Sequence, residues 1–160
     1  MGPAKDAILQ IHPTRRCNLR CLHCYSSSGP DQRDQLPSTV FERAIADARS
    51  EDFRVASFSG GEPTLYKDLP ILLRQARAHG MTTTVTSNGM LLDERHLEAL
   101  TGVTNVLAIS LDGLPVSHNR MRANPQAFET MAKHLPAVRA SGISFGCIFT
   151  LTQHNLDEAA

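Results

Sequence analysis

The feature that most limits how this chain folds is an alternation between two hydrophobic periods. Short runs rich in β-branched residues recur along it: Ala7 to His12, Arg54 to Phe58, Thr82 to Thr86 ("TTTVT"), Asn105 to Ser110 ("NVLAIS") and Ser144 to Thr150. Such side chains favour a pleated surface over a helix, so each run reads as a strand. Between the runs lie stretches of helical spacing. After Leu36-Pro37-Ser38-Thr39, residues Val40, Phe41, Ala44, Ile45 and Ala48 repeat with that period, and Thr39 with Glu42 predicts a capping box. A second helix is expected over Asp68 to His79, ended by Gly80 in a left-handed cap. Asp93 opens a short third helix that stops at Gly102. A fourth runs from about Pro125 to about Ala140 before Gly142, and Pro136 predicts a kink or break near Leu135.

Strands that alternate with helices pair in parallel through right-handed crossovers. The expected fold class is therefore α/β, a parallel sheet of about five strands alternating with helices, either an open doubly wound sheet or part of a barrel. Both arrangements put chemistry at the C-terminal ends of the strands. The 160 residues are about one domain's worth and can bury a real core. Asn155 to Ala160 supply an N-cap and the acids of a first helical turn, and the chain then stops. One turn cannot bury a face, so residues 1–160 read as the N-terminal part of something longer.

Composition narrows the function classes. Sixteen Lys plus Arg balance sixteen Asp plus Glu, which leaves no global field to attract phosphate backbones or acidic lipid. Nucleic acid and membrane both drop as expected partners. The apolar runs are too short to cross a bilayer, and the N-terminus lacks the order of a signal peptide, so a cytoplasmic location is expected. Thiols in that compartment more often bind metal or do chemistry than form disulfides.

Three of the four cysteines, Cys17, Cys21 and Cys24, fall in the stretch "CNLRCLHC" after the first strand. The spacing C-x3-C-x2-C lets three thiolates wrap one inorganic centre. A cubane iron–sulfur cluster normally takes four cysteines, so three leave one iron with an open position. The same triplet also suits a zinc site completed by His23 or His12, or three reduced thiols. Cys147, inside the fifth strand, is expected to be a packed core thiol. The other strand ends carry small and polar turns: Ser59-Gly60-Gly61-Glu62-Pro63, Ser87-Asn88-Gly89 and Leu111-Asp112-Gly113. The Gly60-Gly61 pair permits close backbone approach, and its carbonyls or the Glu62 carboxylate could accept bonds from an ammonium group. Ser87, Asn88 and Ser110 have hydroxyl and amide groups suited to a ribose.

Together, the cysteine triplet after the first strand, Gly-Gly-Glu-Pro after the second and Ser-Asn-Gly after the third resemble the radical S-adenosylmethionine superfamily, from about Ala7 to the last residue. The resemblance implies a partial TIM-type barrel of six strands, of which this sequence holds five. It implies that Cys17, Cys21 and Cys24 hold a [4Fe-4S] cluster whose open iron binds S-adenosylmethionine. Reductive cleavage would then give a 5′-deoxyadenosyl radical that abstracts hydrogen from a substrate. By the same resemblance Gly60, Gly61 and Glu62 would hold the methionine amino group, Ser87, Asn88 and Ser110 would lie near the ribose, and the His23 and Tyr25 backbones near the adenine.

The segment from Ser110 to Gly113, followed by His118-Asn119-Arg120-Met121-Arg122 and Phe128-Glu129, is similar to maturases that modify peptides or sulfatases and to cofactor-biosynthesis enzymes. Their usual pattern there is His-Asp-x-x-Arg-Gly. Asn119 replaces the Asp and Ala123 the Gly, while Arg122 stands at the matching place, where it would pair with the S-adenosylmethionine carboxylate. The implied partners are a peptide or cofactor-precursor substrate and an electron donor such as flavodoxin or ferredoxin. A zinc-stabilised binding module without catalysis, and an inactive fragment of such an enzyme, are the competing expectations.

Overall fold

The computed structural model describes residues 7–158. Strands β1 (Ile8–Ile11), β2 (Val55–Phe58), β3 (Thr82–Ser87), β4 (Val106–Ser110) and β5 (Ser144–Ile148) form one sheet in chain order, every neighbour parallel. Helix α1 (Ser38–Ser50) joins β1 to β2, α2 (Leu69–Ala78) joins β2 to β3, and α3 (Glu94–Leu100) joins β3 to β4. Two helices, α4 (Pro115–Met121) and α5 (Ala127–Ala140), join β4 to β5. A strand order that never reverses sends each right-handed crossover over the same face of the sheet. The doubly wound alternative needs a reversal, so the architecture is the partial barrel.

Pleating then divides the strands into two faces. Ala56, Phe58, Val85, Leu107 and Ile109 point under the helices and are buried. They pack with Phe41 and Ile45 of α1, Leu69, Leu72, Leu73 and Ala76 of α2, Leu97 and Leu100 of α3, and Met131 and Val138 of α5. The alternate residues, among them Gln10, Ser57, Thr84, Thr86 and Ser110, belong to the opposite, concave face.

Several local expectations change. α1 starts at Ser38 with Pro37 as its cap and no side-chain capping bond. Thr39 already lies inside the first turn, so the Thr39–Glu42 box does not form. Asp93 does cap α3, its Oδ1 accepting from the His96 amide at 3.0 Å. α5 runs unbroken through Pro136, which sits on the exposed side where a carbonyl deprived of its partner can bond water. α4 has no counterpart among the helices expected from periodicity. Its N-terminus is capped from far along the chain by Glu158, which accepts from the Leu114 amide and the Ser117 hydroxyl, each at 2.7 Å.

At the other edge, β5 ends at Ile148 instead of Thr150, and all five of its residues are exposed. Cys147 is therefore exposed, not a packed core thiol. α5 packs against α3 and α4 and leaves this edge strand uncovered among the described residues. Asn155 does not serve as the expected helix cap. Its Oδ1 accepts from the Thr152 amide and hydroxyl, and its Nδ2 donates to the Asp112 and Thr150 carbonyls. Only a 3-10 turn, Leu156–Glu158, follows, and Ala159 and Ala160 lie outside the described residues.

Ala123, standing where the family pattern has Gly, has φ +49°. A left-handed conformation costs an L-residue roughly 1–2 kcal/mol, and glycine's added unfolded-state entropy returns about 0.4–1 kcal/mol of that. Ala123→Gly is thus expected to stabilise by about 0.5 kcal/mol, a rise of roughly 1–2 °C in a thermal melt. A melt that moves down would show that the turn is not strained.

Candidate active site

The cysteine segment is a folded loop between β1 and α1. The Arg15 amide donates to the Asp34 carbonyl, Gly29 N to Arg15 O, and Cys17 N to Gly29 O, so the loop's two arms brace each other. It is then fastened to its neighbours. Gly61 N donates to Thr14 O and Glu62 N to Arg16 O, both at 2.9 Å, while Leu22 N donates to the carbonyl of Met121 at 2.9 Å. The loop stem passes so close that a Cβ on Gly61 would stand 2.2 Å from the Arg16 carbonyl oxygen. A Cβ on Gly60, whose φ is +105°, would stand 2.9 Å from the His12 Cβ. The glycine pair is therefore required by chain-on-chain packing, beyond the ligand approach expected of it.

The residues that the family resemblance assigns to cluster and cosubstrate line one cavity of about 380 Å³: Cys17, Cys21, Cys24, His23, Tyr25, Gly60, Gly61, Glu62, Ser87, Asn88, Ser110 and Arg122; His12, the other zinc ligand considered, is not among its lining residues. The floor adds Gln10, Ser57, Thr86 and Ile148 from the concave face. Each thiol has a donor directed at it. Leu19 N donates to Cys17 Sγ at 3.4 Å and Ser28 N to Cys24 Sγ at 3.4 Å. Asn88 Nδ2 reaches Cys17 Sγ at 3.9 Å, and Arg122 Nη1 reaches Cys21 Sγ at 3.7 Å. Donors of this kind suit sulfur that is anionic when it binds a metal centre.

Burial pushes the Cys17 thiol up to about 11, against the Leu19 amide, which lowers it. Burial raises Cys21 too, opposed by the charge and hydrogen bond of Arg122. At Cys24 burial is outweighed by bonds from the Ser26 hydroxyl and the Ser28, Ser26 and Ser27 amides, and that thiol ionises more readily than usual. Among the described residues no three His, Cys, Asp or Glu side chains are gathered tightly enough for one metal ion. Cys17, Cys21 and Cys24 line the same cavity.

Glu62 is 1% exposed and makes four hydrogen bonds. Its Oε1 accepts from Thr64 N at 3.2 Å, Thr64 Oγ1 at 2.7 Å and Ser87 Oγ at 2.9 Å, and its Oε2 from Asn88 N at 2.9 Å. Burial raises its pKa, while the bonds from Asn88, Thr64 and Ser87 pull the other way. The carboxylate thus ties the turn after β2 to the turn after β3. Asn88 extends the tie, because its Nδ2 also donates to Asn18 Oδ1 at 2.8 Å in the cysteine loop. Tyr25 hydroxyl lies 3.1 Å from His12 Nε2 and 3.2 Å from Ser59 Oγ, which fixes the adjoining wall.

Asp112 is the residue whose role the sequence reading missed. It is fully buried, and its Oδ2 lies 2.7 Å from Arg122 Nη2 and 3.6 Å from His23 Nε2. Its Oδ1 accepts from Thr150 N at 3.1 Å, and its own amide donates to His118 Nδ1 at 3.2 Å. Burial lowers the His23 and His118 basicities. The local signal was an acid in a strand-end turn, with Arg122 ten residues on, just past the end of the unrecognised helix α4. Asn119, replacing the family's Asp, stays useful by accepting from Phe128 N at 2.7 Å and donating to Pro125 O at 2.8 Å.

Comparison with known proteins gives the family. The Radical SAM superfamily model matches residues 11–160. The chain belongs to that superfamily. Its members bind a [4Fe-4S] cluster and S-adenosylmethionine. Among relatives, the Fe-coproporphyrin III synthase of Methanosarcina barkeri is 35% identical over 154 residues, covering 95% of this chain and 39% of that protein. The structure of Streptococcus suis SuiB bound to S-adenosylmethionine superposes with a TM-score of 0.76 at 24% identity, covering 96% of this chain and 36% of that one. Native anSMEcpe with bound AdoMet and the Kp18Cys peptide gives a TM-score of 0.77 at 23% identity, covering 94% and 45%. The chain therefore spans less than half the length of these relatives. Among the described residues no helix is long and apolar enough to cross a membrane.

Two substitutions test how the rim is built. Gly61→Ala forces backbone apart from backbone and is expected to cost about 1–3 kcal/mol. Glu62→Gln puts an amide donor among groups that need an acceptor and is expected to cost about 1–3 kcal/mol. Urea unfolding checks both, and an unchanged midpoint in either would show that the close contact or the carboxylate bonds do not hold the turn.

Proposed function

We propose that Cys17, Cys21 and Cys24 ligate a [4Fe-4S] cluster and that the chain is the radical S-adenosylmethionine core of an enzyme. The observation that carries this reading is the three-thiol ring with a hydrogen-bond donor on each sulfur, opening into the same cavity as the Gly60-Gly61-Glu62 and Ser87-Asn88 turns. When bound, the cluster passes an electron to S-adenosylmethionine, which yields methionine and a 5′-deoxyadenosyl radical that takes hydrogen from the substrate.

The chain's own groups do the binding and orienting. With the Glu62 carboxylate taken up by four donors and the Gly60 carbonyl accepting from Ser26 Oγ at 3.0 Å, the Gly61 carbonyl and the second lone pair of the Gly60 carbonyl are the better acceptors for the methionine amino group. Ser110 and the Ser87-Asn88 turn line the side assigned to the ribose, and His23 and Tyr25 the side assigned to the adenine. The neutral floor of Gln10, Ser57 and Thr86 suits amide and hydroxyl groups of a substrate. A peptide or a cofactor precursor fits that lining, in keeping with the peptide bound to anSMEcpe and with the coproporphyrin synthase relative. A low-potential cytoplasmic donor such as flavodoxin or ferredoxin would supply the electron.

The deciding experiment is anaerobic reconstitution with iron and sulfide, then dithionite and S-adenosylmethionine, with 5′-deoxyadenosine quantified by chromatography. Product well above the no-protein control, falling to that control in Cys21→Ala, is expected. Tightly held zinc with no iron or sulfide uptake would replace this reading with that of a zinc-stabilised module.

A further inference from the structure

Arg122 has more to do than its place in the family pattern implies. The side chain is 7% exposed, and its fork is engaged on two sides. Nη2 meets Asp112 Oδ2 at 2.7 Å, and Nη1 donates to Cys21 Sγ at 3.7 Å, within range for a sulfur acceptor. Both ends of that contact are fixed by backbone. Leu22 N, next to Cys21, donates to the carbonyl of Met121, next to Arg122, and Arg122 N donates to His118 O at 2.9 Å. The anchor is fixed as well, since Thr150 N and the His118 ring hold Asp112, and Asn155 Nδ2 donates to its carbonyl at 3.0 Å. Turning the guanidinium into the cavity to grip a cosubstrate carboxylate would leave the Asp112 carboxylate, 0% exposed, without its cation.

We propose that Arg122, braced by Asp112, is a positioning and tuning residue that directs an N–H at the Cys21 sulfur and raises the reduction potential of the cluster bound there. This rests on the cluster reading above. One-electron reduction by an external low-potential donor adds a negative charge to the cluster, and part of it resides on the thiolate sulfurs. An N–H dipole and a positive charge on one of those sulfurs stabilise the reduced form more than the oxidised form. Arg is suited to the task because its planar fork serves Asp112 and Cys21 at once, and a lysine cannot.

The test is an EPR-monitored redox titration of the reconstituted protein. Arg122→Gln and Arg122→Lys are both expected to lower the ratio of reduced to oxidised cluster at least tenfold at fixed potential, about 59 mV for a one-electron couple. The Lys variant keeps a cation for Asp112, so it separates tuning from folding. An unaltered titration with full cluster content in that variant would overturn the proposal. Independently of any variant, pulsed EPR on protein labelled with 15N-arginine should show a nitrogen coupling to the reduced cluster, lost in Arg122→Lys. Its absence from the unaltered protein would overturn the proposal too. Failure to assemble any cluster would instead remove the reading on which the proposal stands.

Discussion

Burying a carboxylate costs several kcal/mol unless its oxygens are paired or hydrogen-bonded. Glu62 meets that condition with four donors from two turns, and much of the rim depends on the result. The turn after β2 cannot move without breaking bonds to the turn after β3. Asn88 passes the constraint to Asn18 and Cys17, so the cysteine loop shares it. A loop with little regular structure is thereby given a defined shape next to strands that are rigid because of the core behind them.

A second buried carboxylate does the same on the opposite wall. Asp112 gathers Arg122, Thr150 and the two histidines His23 and His118 around the end of β4. The two acids differ in how they are neutralised. Glu62 relies on neutral N–H and O–H donors, whereas Asp112 has a guanidinium as its direct ion partner. The site therefore has a neutral hydrogen-bonded side and a charged side, with Cys17 next to the first and Cys21 next to the second. Cys24, bonded by three successive serines, belongs to neither acid and has the most readily ionised thiol of the three.

The parallel pairing and the rim of turns could be read in the sequence because each rests on local periodicity or on glycine and β-branched chemistry, whereas the strand order that excludes the doubly wound alternative came from the fold. The site residues were legible for a related reason: unusual side chains gathered after each strand, and the parallel topology brings every strand end to one place. Features built by distant partners were not legible. α4 is capped by a glutamate 44 residues later, and nothing near Pro115 announces it. Thr39 satisfied a capping pattern, yet with Pro37 as the cap the helix starts two residues too early for that pattern to act. Cys147 had a core-like sequence context, but burial depends on what covers β5.

By itself the sequence determined the five strands and every helix but α4, where the cysteine triplet and the glycine turn fall, and hence the superfamily, since these depend on side chains close in the chain. Tertiary structure alone decided what the charged groups do. Glu62 and Arg122 read in the sequence as free hands for a cosubstrate, and in the fold both are engaged, Glu62 by the turn after β3 and Arg122 by Asp112 and the Cys21 loop. The physical reason is that a buried charge is positioned by whichever partners relieve its desolvation, and those partners, Asn88 across the β2–β3 turns for one and Asp112 across α4 for the other, meet it only in the folded chain.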